Sequence, residues 1–193
     1  MIMKKVSILV STIDSGGAEK QAVLLAIQLS KHTDVNLIVL YGGHTEYKGN
    51  VDLLTKSSVK VHRLNGSMLL KTIRIRELLK ESHTDVLLNY LTMPDLLGSF
   101  LGKRLKISVY NGIRNSRLPR SKMLIEKWAH NHWATATIYN CYSGADYFEK
   151  FGFRKDKNIV IPNCLTNYKR QSFSKDNHYS WSLRPSKRLR NSY

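Results

Sequence analysis

VSILVSTIDSGGAEKQAVLLAIQLSK, running from Val6 to Lys31, holds a short apolar run, a polar turn with two adjacent glycines, and an amphipathic run. Val6, Ile8, Leu9, Val10 and Ile13 are too few for a helix and rich in branched side chains, so they predict a strand. Ala18, Ala22, Leu25, Ala26 and Leu29 share one face at helical period and predict a helix. Gly16 and Gly17 join the two, and their backbone can approach other groups where a Cβ would intrude. The amides that open a helix lack partners and carry the positive end of its dipole, which favours an anion such as phosphate. Two readings stay open for the glycine pair, a tight strand-to-helix turn and a phosphate loop.

Outward from this unit the pattern repeats. Strand-like runs recur at Val35–Tyr41, Val59–Leu64, Val86–Leu91, Ile107–Tyr110, Ala136–Tyr142 and Ile159–Ile161. Between them lie helical patterns. Met68, Ile75, Leu78 and Leu79 predict one helix face, and Pro94 suits a first turn ahead of Leu96, Leu97, Phe100 and Leu101. Lys122–Trp133 predicts a longer helix and Ser143–Phe151 a short one with Ser143 as its N-cap. Alternating strands and helices predict an α/β fold, with a doubly wound, Rossmann-like parallel sheet. Ligands of such sheets bind at the carboxyl ends of the strands, where the Gly16–Gly17 loop lies. Residues 1–163 are expected to form this domain. Residues 164–193 read as a basic, irregular tail with no sustained period.

The chain has 193 residues, of which 42% are hydrophobic, enough for one domain with a sizeable core. The opening MIMKKVSILVSTI imitates a secretory leader, but its apolar run stops at Asp14 and no small-residue cleavage site follows. The expectation is a cytoplasmic protein, peripheral to the inner face of the membrane at most. Cys141 and Cys164 provide neither a disulfide framework nor metal spacing. The net charge is +17, and +6 of it falls in the tail, where Asp176 is the one acid. Such a charge suits nucleic acid, an anionic membrane or anionic substrates. A dinucleotide fingerprint is absent: the loop reads D-S-G-G-A-E, and the second strand ends at Tyr41–Gly42–Gly43 without an acid.

The order of motifs resembles a known family. S-G-G-A-E opens the first helix, N-G-I-R-N-S (Asn111–Ser116) follows a strand, and an aromatic-rich helix comes next. Ser143, F-G-F (Phe151–Phe153) and V-I-P-N (Val160–Asn163) complete the series. Over residues 4 to about 163 this looks like the N-terminal half of a GT-B glycosyltransferase of the GT4 type. The resemblance implies two Rossmann-like domains facing a cleft, the first holding the acceptor and the second a nucleotide-sugar donor. It implies transfer with retention, in surface polysaccharide or glycolipid synthesis, to a saccharide or lipid-linked acceptor, with no bound metal. Gly16 and Gly17 match the loop that approaches the donor phosphates. There, fixed N–H dipoles would stabilise the charge gained by the leaving diphosphate. Arg114 is a candidate for a phosphate or an acidic acceptor, against a plain surface role. Asp14 and Glu19 are candidates for orienting the acceptor. A first-turn carboxylate such as Glu19 also serves the helix dipole, the role favoured for it here.

Two departures accompany the resemblance. Asn111, a further acceptor or phosphate candidate, stands where many members carry a histidine near a strand end. The sequence also runs out where the donor domain should begin, so a truncated product, inactive alone, is expected. One permitted codon set for His178–Tyr193, read from its second base, gives ITVGRFDPAKDYETR, which resembles the opening of the family's donor domain. A frameshift near codon 178 is therefore expected, and the nucleotide sequence decides it. Two other functions compete: a small Rossmann-like protein that binds a nucleotide or phosphate, and a basic nucleic-acid binder. No recognition helix or aromatic–basic motif supports nucleic acid as a partner. His130 and His132 lie two apart on a helix and share no face, so no metal site is expected.

Overall fold

The computed structural model describes residues 4–114 and 118–162. The expected boundary at residue 163, the tail and its frameshift, and Cys164 all lie outside the described residues. Among the described residues seven strands form one parallel sheet: β1 Val6–Val10, β2 Val35–Val39, β3 Lys60–Arg63, β4 Val86–Tyr90, β5 Ser108–Ile113, β6 Ala136–Tyr139 and β7 Asn158–Val160. The order across the sheet is β3-β2-β1-β4-β5-β6-β7. Val6 pairs with Val35 on one side and Val86 on the other, so β1 is central. All five of its residues are buried, which is why its run reads apolar without alternation. β3 reads Lys-Val-His-Arg with both ends exposed, as an edge strand should.

The helices are α1 Gly17–Leu29, α2 Lys48–Thr55, α3 Met68–Glu81, α4 Thr92–Leu105, α5 Arg120–His132 and α6 Tyr142–Lys150. Ala22, Val23 and Ala26 of α1 and Leu54 of α2 pack on Val6, Ile8 and Val10. Ile75, Leu78 and Leu79 of α3 and Leu101 of α4 pack on the opposite face, against Leu9, Ile38 and Leu87. Met123 of α5 and Phe148 of α6 extend that second layer over Ile113 and Tyr139. The doubly wound α/β expectation is met, with helices on both faces of the sheet.

Several expectations are corrected. β5 runs on to Ile113, so Asn111 and Gly112 belong to the strand: Asn111 pairs with Asn89 and Gly112 with Tyr90. The strand is expected to end at Tyr110, but the polar N-G pair continues it as its buried end. β6 stops at Tyr139, and α6 begins at Tyr142 with Cys141 as its N-cap. Ser143 sits inside the first turn, where its hydroxyl reaches Cys141 Sγ at 3.5 Å instead of capping the helix. Met68, the first residue of α3, is 36% exposed although Ile75, Leu78 and Leu79 are buried. α2 has no counterpart in the expectations, since its short polar sequence carries only Asn50 and Leu54 inward.

Candidate functional site

The strand order reverses between β1 and β4, and ligands of open α/β sheets bind in the crevice above such a reversal. Two turns flank it, from β1 into α1 and from β4 into α4. The first is tied down from α2: Asn50 Nδ2 donates to the Asp14 carbonyl at 2.8 Å, and Tyr47 N–H donates to Ile13 O at 3.0 Å. The Asp14 carboxylate is exposed and accepts from the Ser15 amide at 2.7 Å, so it shapes the turn from outside.

Gly16 is the N-cap of α1, with φ −62° and ψ 152° and no side-chain cap. Neither glycine of the pair has positive φ, so a left-handed backbone is not the reason for them. A Cβ on Gly16 would fall on the Glu19 carboxylate, whereas a Cβ on Gly17 would meet no atom within 4 Å. The fold therefore leaves open space directly over Gly17. The first-turn amides at Gly17, Ala18 and Glu19 have no partner within the helix and face the same end. Glu19 folds back over this turn, and its Oε1 accepts from Thr12 Oγ1 at 3.4 Å. Its carboxylate thereby occupies part of the positive field that would otherwise serve an anion.

The second turn carries a feature that the sequence did not announce. Leu91, the N-cap of α4, has φ 77° and ψ 156°, a conformation that costs a branched residue about 1–3 kcal/mol. Such strain persists where the surroundings enforce it, and here it stands at the mouth of the crevice. Arg114 follows β5 at the same end, with its guanidinium 5.4 Å from the centre of the Tyr90 ring. Asn111 is not presented there. It is 1% exposed, and its Oδ1 accepts from Asn89 Nδ2 at 2.9 Å and from Ser99 Oγ at 3.0 Å. The structure thus groups Asp14, Gly16, Gly17 and Glu19 at one turn, sets Arg114 at the end of β5, and withdraws Asn111 into the core.

Below the β4–α4 turn lie two fully buried carboxyls, Asp95 of α4 and Glu126 of α5. Burial pushes Asp95 well above the usual carboxylate range, and the Glu126 charge adds to this, while the Gly112 amide pulls the other way. Burial also raises Glu126, against the Thr92 hydroxyl and the Asp95 carboxyl. A hydrogen bond between the two carboxyls, which raises Asp95 and lowers Glu126, couples the pair. Two carboxyls that share a dry site hold a proton where exposed ones have lost theirs. Both were missed in the sequence. Asp95 reads as ordinary first-turn electrostatics, and the only signal for Glu126 is its place on the apolar face with Met123 and His130. Burial likewise raises the Tyr139 hydroxyl in the same core.

Among the described residues, no group of three or more His, Cys, Asp or Glu side chains stands close enough to share a metal ion. No helix of the described residues is long and apolar enough to cross a membrane. A groove of about 590 Å³ lined by Lys103, Lys106, Trp133 and Lys157 opens at the opposite end of the sheet, away from the Gly17 turn.

The sequence profile described as Glycosyltransferase Family 4 matches residues 15–166. A Campylobacter jejuni relative is 33% identical over 95 residues, which is 46% of this chain and 26% of that protein. It is named GalNAc-alpha-(1->4)-GalNAc-alpha-(1->3)-diNAcBac-PP-undecaprenol alpha-1,4-N-acetyl-D-galactosaminyltransferase. Anabaena HepE, solved in complex with UDP-glucose, superposes with a TM-score of 0.70 at 15% identity, over 84% of this chain and 44% of HepE. The lipopolysaccharide outer core galactosyltransferase WaaB, in its apo form, superposes with a TM-score of 0.62 at 12% identity, over 86% of this chain and 47% of WaaB. The chain thus spans under half the length of these solved structures and about a quarter of the curated relative. The likeness to the solved structures is one of fold.

Proposed function

Because the chain belongs to Glycosyltransferase Family 4, we propose that it forms the acceptor-side half of a GT-B cleft. The reaction would transfer a sugar from a nucleotide-sugar donor to a saccharide or lipid-linked acceptor in surface glycan assembly. The two competing functions, a free-standing phosphate-binding protein and a nucleic-acid binder, give way to the family membership. The nucleotide-sugar is the donor substrate, and a second domain is expected to hold it across the cleft.

The open space over Gly17 carries this reading. Bond cleavage puts charge on the leaving diphosphate, and amides already fixed at a helix N-terminus stabilise that charge without reorganising. A lipid-linked acceptor is supported by the printed specificity of the Campylobacter relative, whose acceptor is a saccharide on a diphosphate-linked undecaprenol. Arg114, at the same end of the sheet, supplies a cation suited to a diphosphate.

Titration of the purified chain with UDP and with a saccharide on a short-chain polyprenyl diphosphate tests this. The expected result is saturable binding of the diphosphate ligand, weakened about tenfold by Gly17→Val as backbone approach is blocked. The unfolding midpoint should barely change, since a Cβ at this position meets no atom within 4 Å. Equal affinity of the variant and the parent for these ligands would sink the assignment of the loop.

A further inference from the structure

α3, α4 and α5 lie side by side in one layer, and their outward faces have an unusual composition. On α5, Leu124 is 66% exposed, Trp128 47% and Ile125 37%. At 100° per residue, Leu124 and Trp128 share the line opposite the buried Met123, Ala129 and His130. The one acid of this helix, Glu126, is buried, whereas Arg120 and Lys122 are exposed. The accessible surface of α5 therefore presents apolar groups and cations with no carboxylate among them.

α3 repeats the arrangement. Leu69 is 71% exposed and Ile73 46%, and they begin an outward line that continues through Arg76 and Lys80 at helical spacing. Glu77 and Glu81 on this helix are both engaged by Arg74, at 3.0 and 3.3 Å. α4, between the two, exposes Lys103 and Arg104. Each helix starts at the carboxyl end of the preceding strand, so Leu69 and Ile73 of α3 and Leu124 and Ile125 of α5 lie in the halves nearest the Gly17 turn, while Trp128 stands past the middle of α5 with its ring against Trp133.

We propose that the outward face of this layer docks the chain on an anionic lipid surface, with Leu69, Ile73, Leu124 and Trp128 entering the interface. Exposed Leu, Ile and Trp flanked by cations fit the boundary between headgroups and acyl chains. An excess of cations over a broad face fits a negatively charged leaflet. A soluble protein partner of matching chemistry would need a large acidic apolar plate, whereas a bilayer offers that surface everywhere. The inference deepens the proposed function, and rests on it only in giving a reason: a polyprenyl-linked acceptor must be met at the membrane, with the crevice held near the headgroups.

The test uses the full chain and vesicles that contain neither donor nor acceptor, so it stands or falls apart from sugar transfer. Sedimentation is compared on pure phosphatidylcholine and on phosphatidylcholine with about 30% phosphatidylglycerol, enough to give a negative surface potential. Binding to the anionic vesicles is expected, with little on the neutral ones. The double variant Leu124→Ser/Trp128→Ser should lose about tenfold or more of the partitioning, since two apolar side chains leave the interface. Leu53→Ser, an exposed apolar position of α2 in the other layer, should leave it unchanged. Sequence beyond residue 163 is itself basic, so salt sensitivity alone supports nothing, and the contrast between the two variants decides. Circular dichroism verifies folding, and Leu124→Ser alone repeats the test if the double variant unfolds. Equal loss in both variants, no loss in either, or equal binding to neutral and anionic vesicles overturns the proposal. So does an oligomer that Trp128→Ser dissociates while vesicle binding persists, which would make this face a contact between copies.

Discussion

His130 shows how one side chain converts a sequence ambiguity into a physical commitment. It is fully buried, with Nδ1 2.7 Å from Thr137 Oγ1 and Nε2 3.0 Å from the Arg154 carbonyl. A carbonyl only accepts, so Nε2 carries the proton and Nδ1 accepts from Thr137. Burial lowers its pKa from 6.5 to about 4, against the Arg154 carbonyl, which favours the charged form. Between those two values the unfolded chain binds a proton that the folded chain refuses, so stability falls as pH drops through the window. The loss is expected to be on the order of 3 kcal/mol at most, from about 1.4 kcal/mol per pH unit. Urea unfolding at pH 7 and pH 4.5 measures it, and His130→Gln should flatten the difference. Asn111 teaches the converse. The resemblance makes it a candidate for an acceptor or phosphate contact, yet its Oδ1 is engaged inside the core by Asn89 Nδ2 and Ser99 Oγ. A single sequence shows that a polar group sits near a strand end. It does not show which face of the sheet receives it.

Helix α5 is held at its end by a residue from far along the chain. Lys157 Nζ donates to the carbonyls of His130, Asn131 and Ala134 at 3.0, 3.1 and 2.8 Å. The first two are carbonyls that a helix C-terminus leaves without partners, the third lies just beyond the C-cap, and the cation also faces the negative end of the dipole. Replacing Lys157 by Met should cost about 1–2 kcal/mol, read as a lower unfolding midpoint and faster amide exchange in the last turn of α5. Elements with a strong period were legible in the sequence: α1, α4 and α5 fall within a few residues of their expected bounds. Elements whose cause is tertiary were not. β5 extends through Asn111 and Gly112 because neighbouring strands hold their backbones, and α2 forms because Asn50 and Leu54 find places against β1 and α1. The Asp95–Glu126 pair was hidden for the same reason. Each carboxylate has an innocuous local reading, and only the packing of α4 on α5 brings them together.

At the scale of the molecule, the sheet rests on β1, buried on both faces. Ile8 is wholly inaccessible there, in the core beneath α1. Ile8→Ala should therefore destabilise the chain by about 2–5 kcal/mol, measured by denaturant titration, with β1 among the last segments to exchange its amides. The alternation of strand and helix made the doubly wound sheet readable, and the Gly16–Gly17 turn marked its ligand end. The charge of the outward layer was visible only as a total, since no linear pattern tells which cations share a plane. The central place of β1 also governs how the chain is made. Val6 pairs with Val86, and Lys5 donates to the Asp85 carboxylate across 80 residues of sequence. While a ribosome extends the chain at about 5–20 residues per second, one edge of β1 waits on the order of ten seconds for β4 to emerge. Until then β1, β2 and β3 form a sheet with an uncovered apolar edge, the kind of edge that recruits other strands. β5, β6 and β7 have no such delay, because each is synthesised directly after the neighbour it joins. The vulnerable moment in the birth of this protein therefore falls before residue 90, and a nascent-chain chaperone has most to protect there.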